Sequence, residues 1–474
     1  MKICLSVLRT AFLLLSTIFL LTSCATWYQK SQKFQAAVTT GNFKEAQKLI
    51  DKTRSEAEGK NRFLYFTNAG WVYQMTGRYD TSNYWLNRAD LYIEDYQKSY
   101  GAEALALVTN PEVKPYAPED PEKVMVNYYK AINYIEEGDM ESALVETRRI
   151  NIKLNELNDK YGKRKNRYSN DAFAHVLMGL IYDATNDYNN AFIAYRNAAL
   201  VYDSLYTKQF GVTMPESLRQ DLLRTSWLNG FNDELDRFQN QFNMKYKHDP
   251  LGERGQVVVL WENGFGPVKD EWSINFSIIH GGGGLVTFQS SELGISFPFF
   301  LGGKSSSTSF GDLDFVRVAF PKYLVRPPVF NAATLSGGGL SKSLDKAQDV
   351  SALLVKTLND RMLREMANSL LRLAAKKSLE SVVRDQDKTV GALFSIFNAV
   401  TEKSDTRNWQ TLPAEIWYTR MMLPVGKQKI TLSTSSGGGY GKDYEIEVDI
   451  KKGKTTFVTF RSLEAGLPTS VSYK

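Results

Sequence analysis

A short turn phrase recurs four times in the first half of the chain. Each copy has Gly or Asn first, then a polar residue, then a large apolar residue, with a small residue three positions further on. The copies begin at Gly41, Gly77, Gly138 and Asn186. Helical periodicity flanks every copy, so each one marks a turn between two helices. A helix pair cannot bury its apolar face alone, so repeated pairs must stack to form one continuous core.

Small and aromatic residues stand at matching places around these turns. In a tetratricopeptide repeat (TPR), the small residue lets the two helices approach and the aromatic residue fills the space beside them. The spacing between the turns is irregular and longer than the roughly 34 residues of that repeat, which predicts a degenerate array with insertions. The predicted repeat-packing residues are Gly70, Tyr73, Ala89, Ala131, Tyr134, Ala143, Gly179, Tyr182, Ala191, Tyr195 and Ala198.

Periodicity changes along the chain divide it into further regions. The fold class predicted is α+β and multidomain: a TPR-like α-solenoid over residues 24–250, followed by a β-sandwich-like region with inserted helices. Alternating apolar and polar residues predict a β-rich domain over 251–342, and helical periodicity returns over 343–404, which predicts amphipathic helices packed on that domain. Alternation resumes over 405–474 and predicts a β-rich C-terminal part.

The first residues have the pattern of a targeting segment. Lys2 and Arg9 precede an apolar run over residues 11–21, which is shorter than the roughly 20 residues that a membrane-spanning helix needs. Leu21-Thr22-Ser23-Cys24 follows and resembles a bacterial lipobox. The resemblance implies a lipoprotein signal peptide over 1–23 and a lipid on Cys24. No acidic residue directly follows Cys24, which by analogy with lipoprotein sorting predicts an anchor in the outer membrane, on its periplasmic side.

Several longer phrases resemble an uncharacterised family of bacterial TPR-containing lipoproteins. The family resemblance implies a TPR array followed by a β-containing region, and a location in the cell envelope. A turn at Pro424-Val425-Gly426, between two predicted strands, is similar to the small sandwich modules called PEGA. The chain departs from the family at the glycine run 281–284 and at the Ser-rich loop 305–309. The phrases that carry the family resemblance cover residues 122–129, 143–149, 171–175, 191–196, 263–269 and 405–416.

The inventory of reactive side chains is small. Cys4 would leave with the signal peptide and Cys24 would carry the lipid, so no thiol is left for a disulfide or a metal. The three histidines, His175, His248 and His280, are not spaced as metal ligands. No Gly-x-Ser-x-Gly phrase is present. We therefore expect no enzyme, no metal and no cofactor, and a net charge of +6 over 474 residues argues against nucleic acid as the main partner.

Two functions remain after these exclusions. The first is a lipid-anchored adaptor or scaffold of the cell envelope, in which aromatic residues of the array's concave face bind protein partners. The alternative is a periplasmic binding or carrier protein for lipid, glycan or peptidoglycan, with its site in a cleft of the β region. An apolar cavity lined by Phe297, Phe299 and Phe300 would favour the carrier. The sequence leaves the partner's identity and the oligomeric state open.

Overall fold

The computed structural model describes part of the chain in detail. The described residues are 28, 31–100, 114–161, 168–282, 285–300, 315–386 and 404–471. Cys24 and the predicted signal peptide lie outside them, as does the Ser-rich loop. Among the described residues, no helix combines the length and the apolar character needed to cross a bilayer.

Helices occupy the chain up to residue 242. They form contacting pairs in sequence order: α1 with α2, α3 with α4, α5 with α6, α7 with α8, and α10 with α11. A five-residue π-helix, Tyr202–Tyr206, connects α8 to α9. The bounds are α1 Gln32–Thr39, α2 Phe43–Lys52, α3 Arg62–Met75, α4 Tyr79–Tyr100, α5 Asp120–Glu137, α6 Met140–Tyr161, α7 Ala172–Ala184, α8 Tyr188–Val201, α9 Thr207–Phe210, α10 Glu216–Leu228 and α11 Asn232–Phe242.

The recurring turn phrase has a physical basis in the backbone. Its first residue adopts the left-handed conformation in all four copies, with φ of +70° at Gly41, +71° at Gly77, +80° at Gly138 and +63° at Asn186. Glycine and, less readily, asparagine accept this conformation, so they end the first helix of each pair. Gly230, with φ of +70°, makes a fifth such turn between α10 and α11.

The described residues after the array form three four-stranded sheets and one long helix, α12. The first sheet has the order β12-β1-β9-β8, the second β11-β10-β6-β7 and the third β4-β3-β2-β5. The bounds are β1 Arg254–Asn263, β2 Val268–His280, β3 Leu285–Ser290, β4 Ile295–Phe300, β5 Phe315–Leu324, β6 Ala332–Gly337, β7 Leu340–Ser343, β8 Asp345–Asp349, α12 Val350–Gln386, β9 Glu415–Pro424, β10 Gly426–Ser435, β11 Gly441–Ile450 and β12 Thr455–Ser462.

The first sheet is buried on both faces because its strands lie between two other layers. In β1, Val258 and Leu260 belong to the hydrophobic cluster of the helix pairs. Their neighbours Val257 and Val259 belong to a second cluster, which includes residues of the second sheet. The near-continuous apolar run of β1 follows from this position, since a strand covered on both sides needs apolar residues on both. One hydrophobic cluster therefore joins the helical array to the β-rich part.

The third sheet and α12 share a separate core. Phe276, Phe288 and Phe320 of the sheet pack with Met366 and Leu370 of the helix. In β3 buried residues alternate with more exposed ones, and in β4 half-buried residues alternate with exposed ones, as expected for a sheet covered on one face by a helix.

The helical region and the β-rich C-terminal part of the predicted fold class are both present, with antiparallel pairing in all three sheets. One pair departs from this pattern, because β1 and β12 run parallel. The predicted boundary at residue 250 falls between the last helix of the array and the first strand. The predicted helical region, 343–404, starts too early. Residues 345–349 form β8 and pair with β9 before α12 begins.

Candidate functional site

The predicted small positions lie where paired helices approach each other. A Cβ atom on Gly70 would lie 2.7 Å from the Leu86 side chain, and one on Gly179 would lie 2.3 Å from the ring of Tyr195. Neither gap admits a methyl group, so the close approach requires glycine. Ala89, Ala131, Ala143, Ala191 and Ala198 are fully buried, as is Tyr195; Tyr73 is buried, and Tyr134 and Tyr182 are partly buried against the same cluster.

The first helices of the pairs face the β-rich part of the same chain. We call the surface formed by α3, α5, α7 and α10 the first-helix face. The segment 404–414 lies against it, and its Trp409 ring contacts Phe63 of α3 at 6.5 Å and Tyr129 of α5 at 5.5 Å, measured between ring centroids. Thr411 donates a hydrogen bond to Asn68 of α3 at 3.2 Å. A partner peptide could reach this part of the face only by displacing segment 404–414.

A buried ion-pair cluster fixes the other end of the first-helix face to β9. Arg420 of β9 lies 2.7 Å from an oxygen of Asp183 in α7 and 3.0 Å from an oxygen of Asp221 in α10. Arg224 also pairs with both carboxylates. Burial by itself would raise the pKa of Asp183, but the guanidinium groups of Arg420 and Arg224 outweigh burial and lower it. The cluster therefore keeps the Asp183 carboxylate charged inside the protein.

A second buried cluster lies at the start of α5. Glu122 accepts hydrogen bonds from the Trp409 backbone N–H at 2.7 Å and from the Tyr116 hydroxyl at 2.6 Å. It also accepts one from the Glu119 backbone N–H at 2.9 Å, which closes the capping box of the helix. One carboxylate thus caps the start of α5 and holds segment 404–414.

The two glutamates of this cluster have opposite pKa shifts. Burial would raise the pKa of Glu119, but Arg361 and Lys269 bind its carboxylate and lower that pKa to about 2. Burial raises the pKa of Glu122 to about 7, and the neighbouring Glu119 charge adds to the effect.

The raised pKa of Glu122 predicts a pH effect on stability. The folded state holds this proton up to about pH 7, whereas an unfolded chain releases it near its ordinary value of 4.5. Glu122 therefore lowers the free energy of unfolding as the pH rises between these two values, by at most roughly 3–4 kcal/mol at about 1.4 kcal/mol per pH unit. We expect urea unfolding at pH 5, 6, 7 and 8 to show a shallower decline for Glu122→Gln than for the wild type. Glu445→Gln, on an exposed strand, is the control, and equal slopes in wild type and Glu122→Gln would contradict the prediction.

Exposed apolar side chains recur on the second helices. Each of α4, α6 and α8 carries two of them, seven residues apart and at the same distance from the start of its helix. The pairs are Tyr84 and Leu91, Val145 and Ile152, and Ile193 and Leu200, with exposed fractions between 38% and 61%. We call them the second-helix rows. The repeat could have been found in the sequence by aligning the helices on their turns, but the sequence hypothesis considered aromatic residues of the concave face instead.

Arginines lie between the two members of each pair. They are Arg88 in α4, Arg148 and Arg149 in α6, and Arg196 in α8. Residues three, four and seven positions apart share one side of a helix, so these arginines share the surface of the second-helix rows. Arg88 pairs with the exposed Glu58, and Arg149 pairs with Asp90 and Glu146. Arg148 and Arg196 lie over the rings of Tyr182 and Phe192 instead. The surface is therefore apolar, with two arginines that pair with a carboxylate and two that stack on aromatic rings.

The remaining sequence candidates are separated from one another. His175 is in α7, His248 stacks on Trp227 at 3.7 Å, and His280 ends β2. Phe297 and Phe299 pack against the core between the third sheet and α12, whereas Phe300 is exposed. The two packed rings therefore belong to a helix–sheet core.

Comparison with known proteins identifies no family. No family model matches the chain, and no curated protein matches it. Solved structures similar to its helical part include MamA, with 14% identity over 46% of this chain and 92% of that chain, at a TM-score of 0.28. The apo form of RapI has 15% identity over 46% of this chain and 71% of its own, at 0.31. TPR-like repeats of a putative kinesin light chain from Podosopora anserina have 13% identity over 45% and 93%, at 0.30. Likeness at this level says nothing about function or partner.

Proposed function

We propose that this chain is a lipid-anchored scaffold of the bacterial cell envelope, which binds a protein partner through its helix pairs and catalyses no reaction. The anchor is the lipid on Cys24, and the proposed location is the periplasmic side of the outer membrane. Support for the anchor comes from the basic residues, the short apolar run and the lipobox-like residues before Cys24. Support for the scaffold comes from the second-helix rows.

The second-helix rows carry the proposal because they repeat. Single exposed apolar side chains are ordinary on protein surfaces. Here six of them occupy equivalent places in three successive helix pairs, which makes a patterned apolar surface. The first-helix face is covered by the chain's own segment 404–414 and by β9, whereas the second-helix rows are exposed among the described residues.

The arginines between the rows indicate the chemistry of the partner. A partner helix with apolar side chains on one face and acidic side chains between them would complement both features. Truncating one apolar side chain usually costs more than about 1 kcal/mol of binding energy only when that side chain lies at the centre of the interface. Several anchors must therefore be removed together to test the surface.

The triple variant Leu91→Ser, Ile152→Ser, Leu200→Ser tests the scaffold. All three side chains are exposed, so we expect little change in thermal stability. A photo-crosslinking residue placed at Asn87, between the rows, should capture a protein partner in intact cells, and the triple variant should reduce that product by roughly tenfold or more.

The matched control removes three exposed leucines elsewhere, in the variant Leu293→Ser, Leu340→Ser, Leu467→Ser. It should leave the crosslink from Asn87 unchanged. Equal crosslinking in wild type and the row variant would overturn the proposed surface. The anchor is tested separately: Cys24→Ala should abolish incorporation of a fatty-acid probe, and persistent labelling would overturn the lipid site.

A further inference from the structure

A charged cleft lies where the array meets the first and second sheets. Its volume is about 370 Å³, within the range of small-molecule sites. Helix α10, the chain over residues 244–249, and strands β7 and β9 surround it. Leu223, Met244, Tyr246 and Met422 supply apolar wall. The cleft is separate from the second-helix rows, so an assignment here does not depend on the proposed scaffold function.

The two arginines of the cleft are already neutralised. Arg224 and Arg420 pair with Asp183 and Asp221 in the buried cluster described above. At the rim, Asp249 pairs with Arg254 at 2.5 Å. These groups balance one another and leave no net charge for a ligand.

Three further lysines line the cleft without an ion pair to a carboxylate among the described residues. Burial lowers the pKa of Lys342, and the charges of Asp221, Glu216 and Asp345 offset part of that effect. The Lys342 ammonium donates to the Gln220 side-chain oxygen at 2.6 Å and to the Arg420 carbonyl at 3.1 Å. Both acceptors are neutral. Lys245 and Lys247 are exposed at the mouth, and neither has an ion pair with a carboxylate in the described part of the chain. The cleft therefore carries an excess of positive charge, which favours an anion.

One buried acceptor in the cleft lacks a donor. Asp221 is 2% exposed, and its Oδ1 atom accepts a hydrogen bond from Arg224 at 3.2 Å and lies 3.0 Å from the Arg420 guanidinium in an ion pair. Its Oδ2 atom is buried and has no hydrogen-bond partner among the described residues. A buried acceptor without a donor is unfavourable, so a ligand that brings a hydroxyl or amine proton would be stabilised there.

We propose that this cleft binds a sugar acid, a hydroxylated ring that carries a carboxylate. The carboxylate binds the ammonium groups of Lys342, Lys245 and Lys247. Ring hydroxyls donate to Asp221 and exchange hydrogen bonds with Gln220. The apolar face of the ring packs against Tyr246 and the methionines. A carboxylate alone would satisfy only the lysines, and a neutral sugar only Asp221 and Gln220, so the combination of both features selects this class of ligand.

Isothermal titration calorimetry of the full chain in detergent tests the site, with D-glucuronate as the probe. D-glucose, which lacks the carboxylate, and inorganic phosphate, which lacks the ring, are the comparison ligands. We expect glucuronate to bind roughly tenfold or more tightly than either, because hydrogen bonds to charged groups are the stronger ones. Absence of glucuronate binding would overturn the proposal, and so would phosphate binding of equal strength.

Two variants locate the binding within the cleft. Lys342→Met should weaken glucuronate binding by roughly tenfold, and the surface double variant Lys245→Gln, Lys247→Gln should weaken it without any effect on the folded structure. Lys44→Met, at an exposed position on α2, is the matched control and should bind as the wild type does. If the lysine variants bind glucuronate as tightly as the control, the site is not this cleft.

Discussion

Arg420→Ala is expected to lower the free energy of unfolding by about 3–5 kcal/mol, because it leaves buried charge without its partner. In the wild type, Arg420 shares Asp183 and Asp221 with Arg224 and donates to the side chains of Gln256 and Tyr195. Removal of one guanidinium leaves two buried carboxylates with a single cation. Urea unfolding followed by circular dichroism at neutral pH measures the loss.

Lys429→Ala provides the matched control for this prediction. Lys429 pairs with Glu445 at 3.4 Å, and both side chains are largely exposed. An exposed pair of this kind contributes about 0–1 kcal/mol. If the two variants lost similar amounts of stability, the buried cluster would not be what joins α7 and α10 to β9.

Trp409→Ala is expected to cost a similar amount, about 3–5 kcal/mol, for a different reason. Trp409 is fully buried between Phe63 and Tyr129, and its indole N–H donates to Thr411 at 2.7 Å. Alanine would leave a cavity where segment 404–414 meets the helices. The loss should appear as a lower urea midpoint with the slope of a single cooperative transition, since one hydrophobic cluster joins the two parts.

Trp227→Ala is the corresponding control. Trp227 is 42% exposed and stacks mainly on His248, so its removal should cost no more than about 1 kcal/mol. A Trp409→Ala protein in which the helices unfold separately from the sheets, in two transitions, would contradict the shared core.

The array of helix pairs was predictable because its signals are local. The turn phrases contain residues that tolerate a positive φ, and small residues mark the close approaches at Gly70 and Gly179. The prediction of helix at residues 345–349 was wrong because five residues with mixed polarity carry no clear period, and their pairing with β9 decides their conformation. Local sequence patterns therefore predicted individual helices better than the pairing of strands that lie far apart in the sequence.

The contacts of the first-helix face were not predictable from such patterns. Segment 404–414 contains no regular element, and Arg407 donates to Asn61 across 346 residues of sequence. A single sequence has no signal for a contact at that separation, and the aromatic residues of α3 and α5 fit a recognition groove as well as they fit a core. The covered face redirects the search for a partner to the second-helix rows.

The parallel pairing of β1 with β12 has a consequence for biosynthesis. The helical array leaves the ribosome first, but Trp409, β9 and β12 follow only near the end of translation. Until then, the apolar side chains of the first-helix face remain exposed in the nascent chain. Folding intermediates with exposed apolar surface are prone to aggregate. A chain released early by a premature stop codon would therefore lack the residues that cover the helices, and we expect it to aggregate instead of folding.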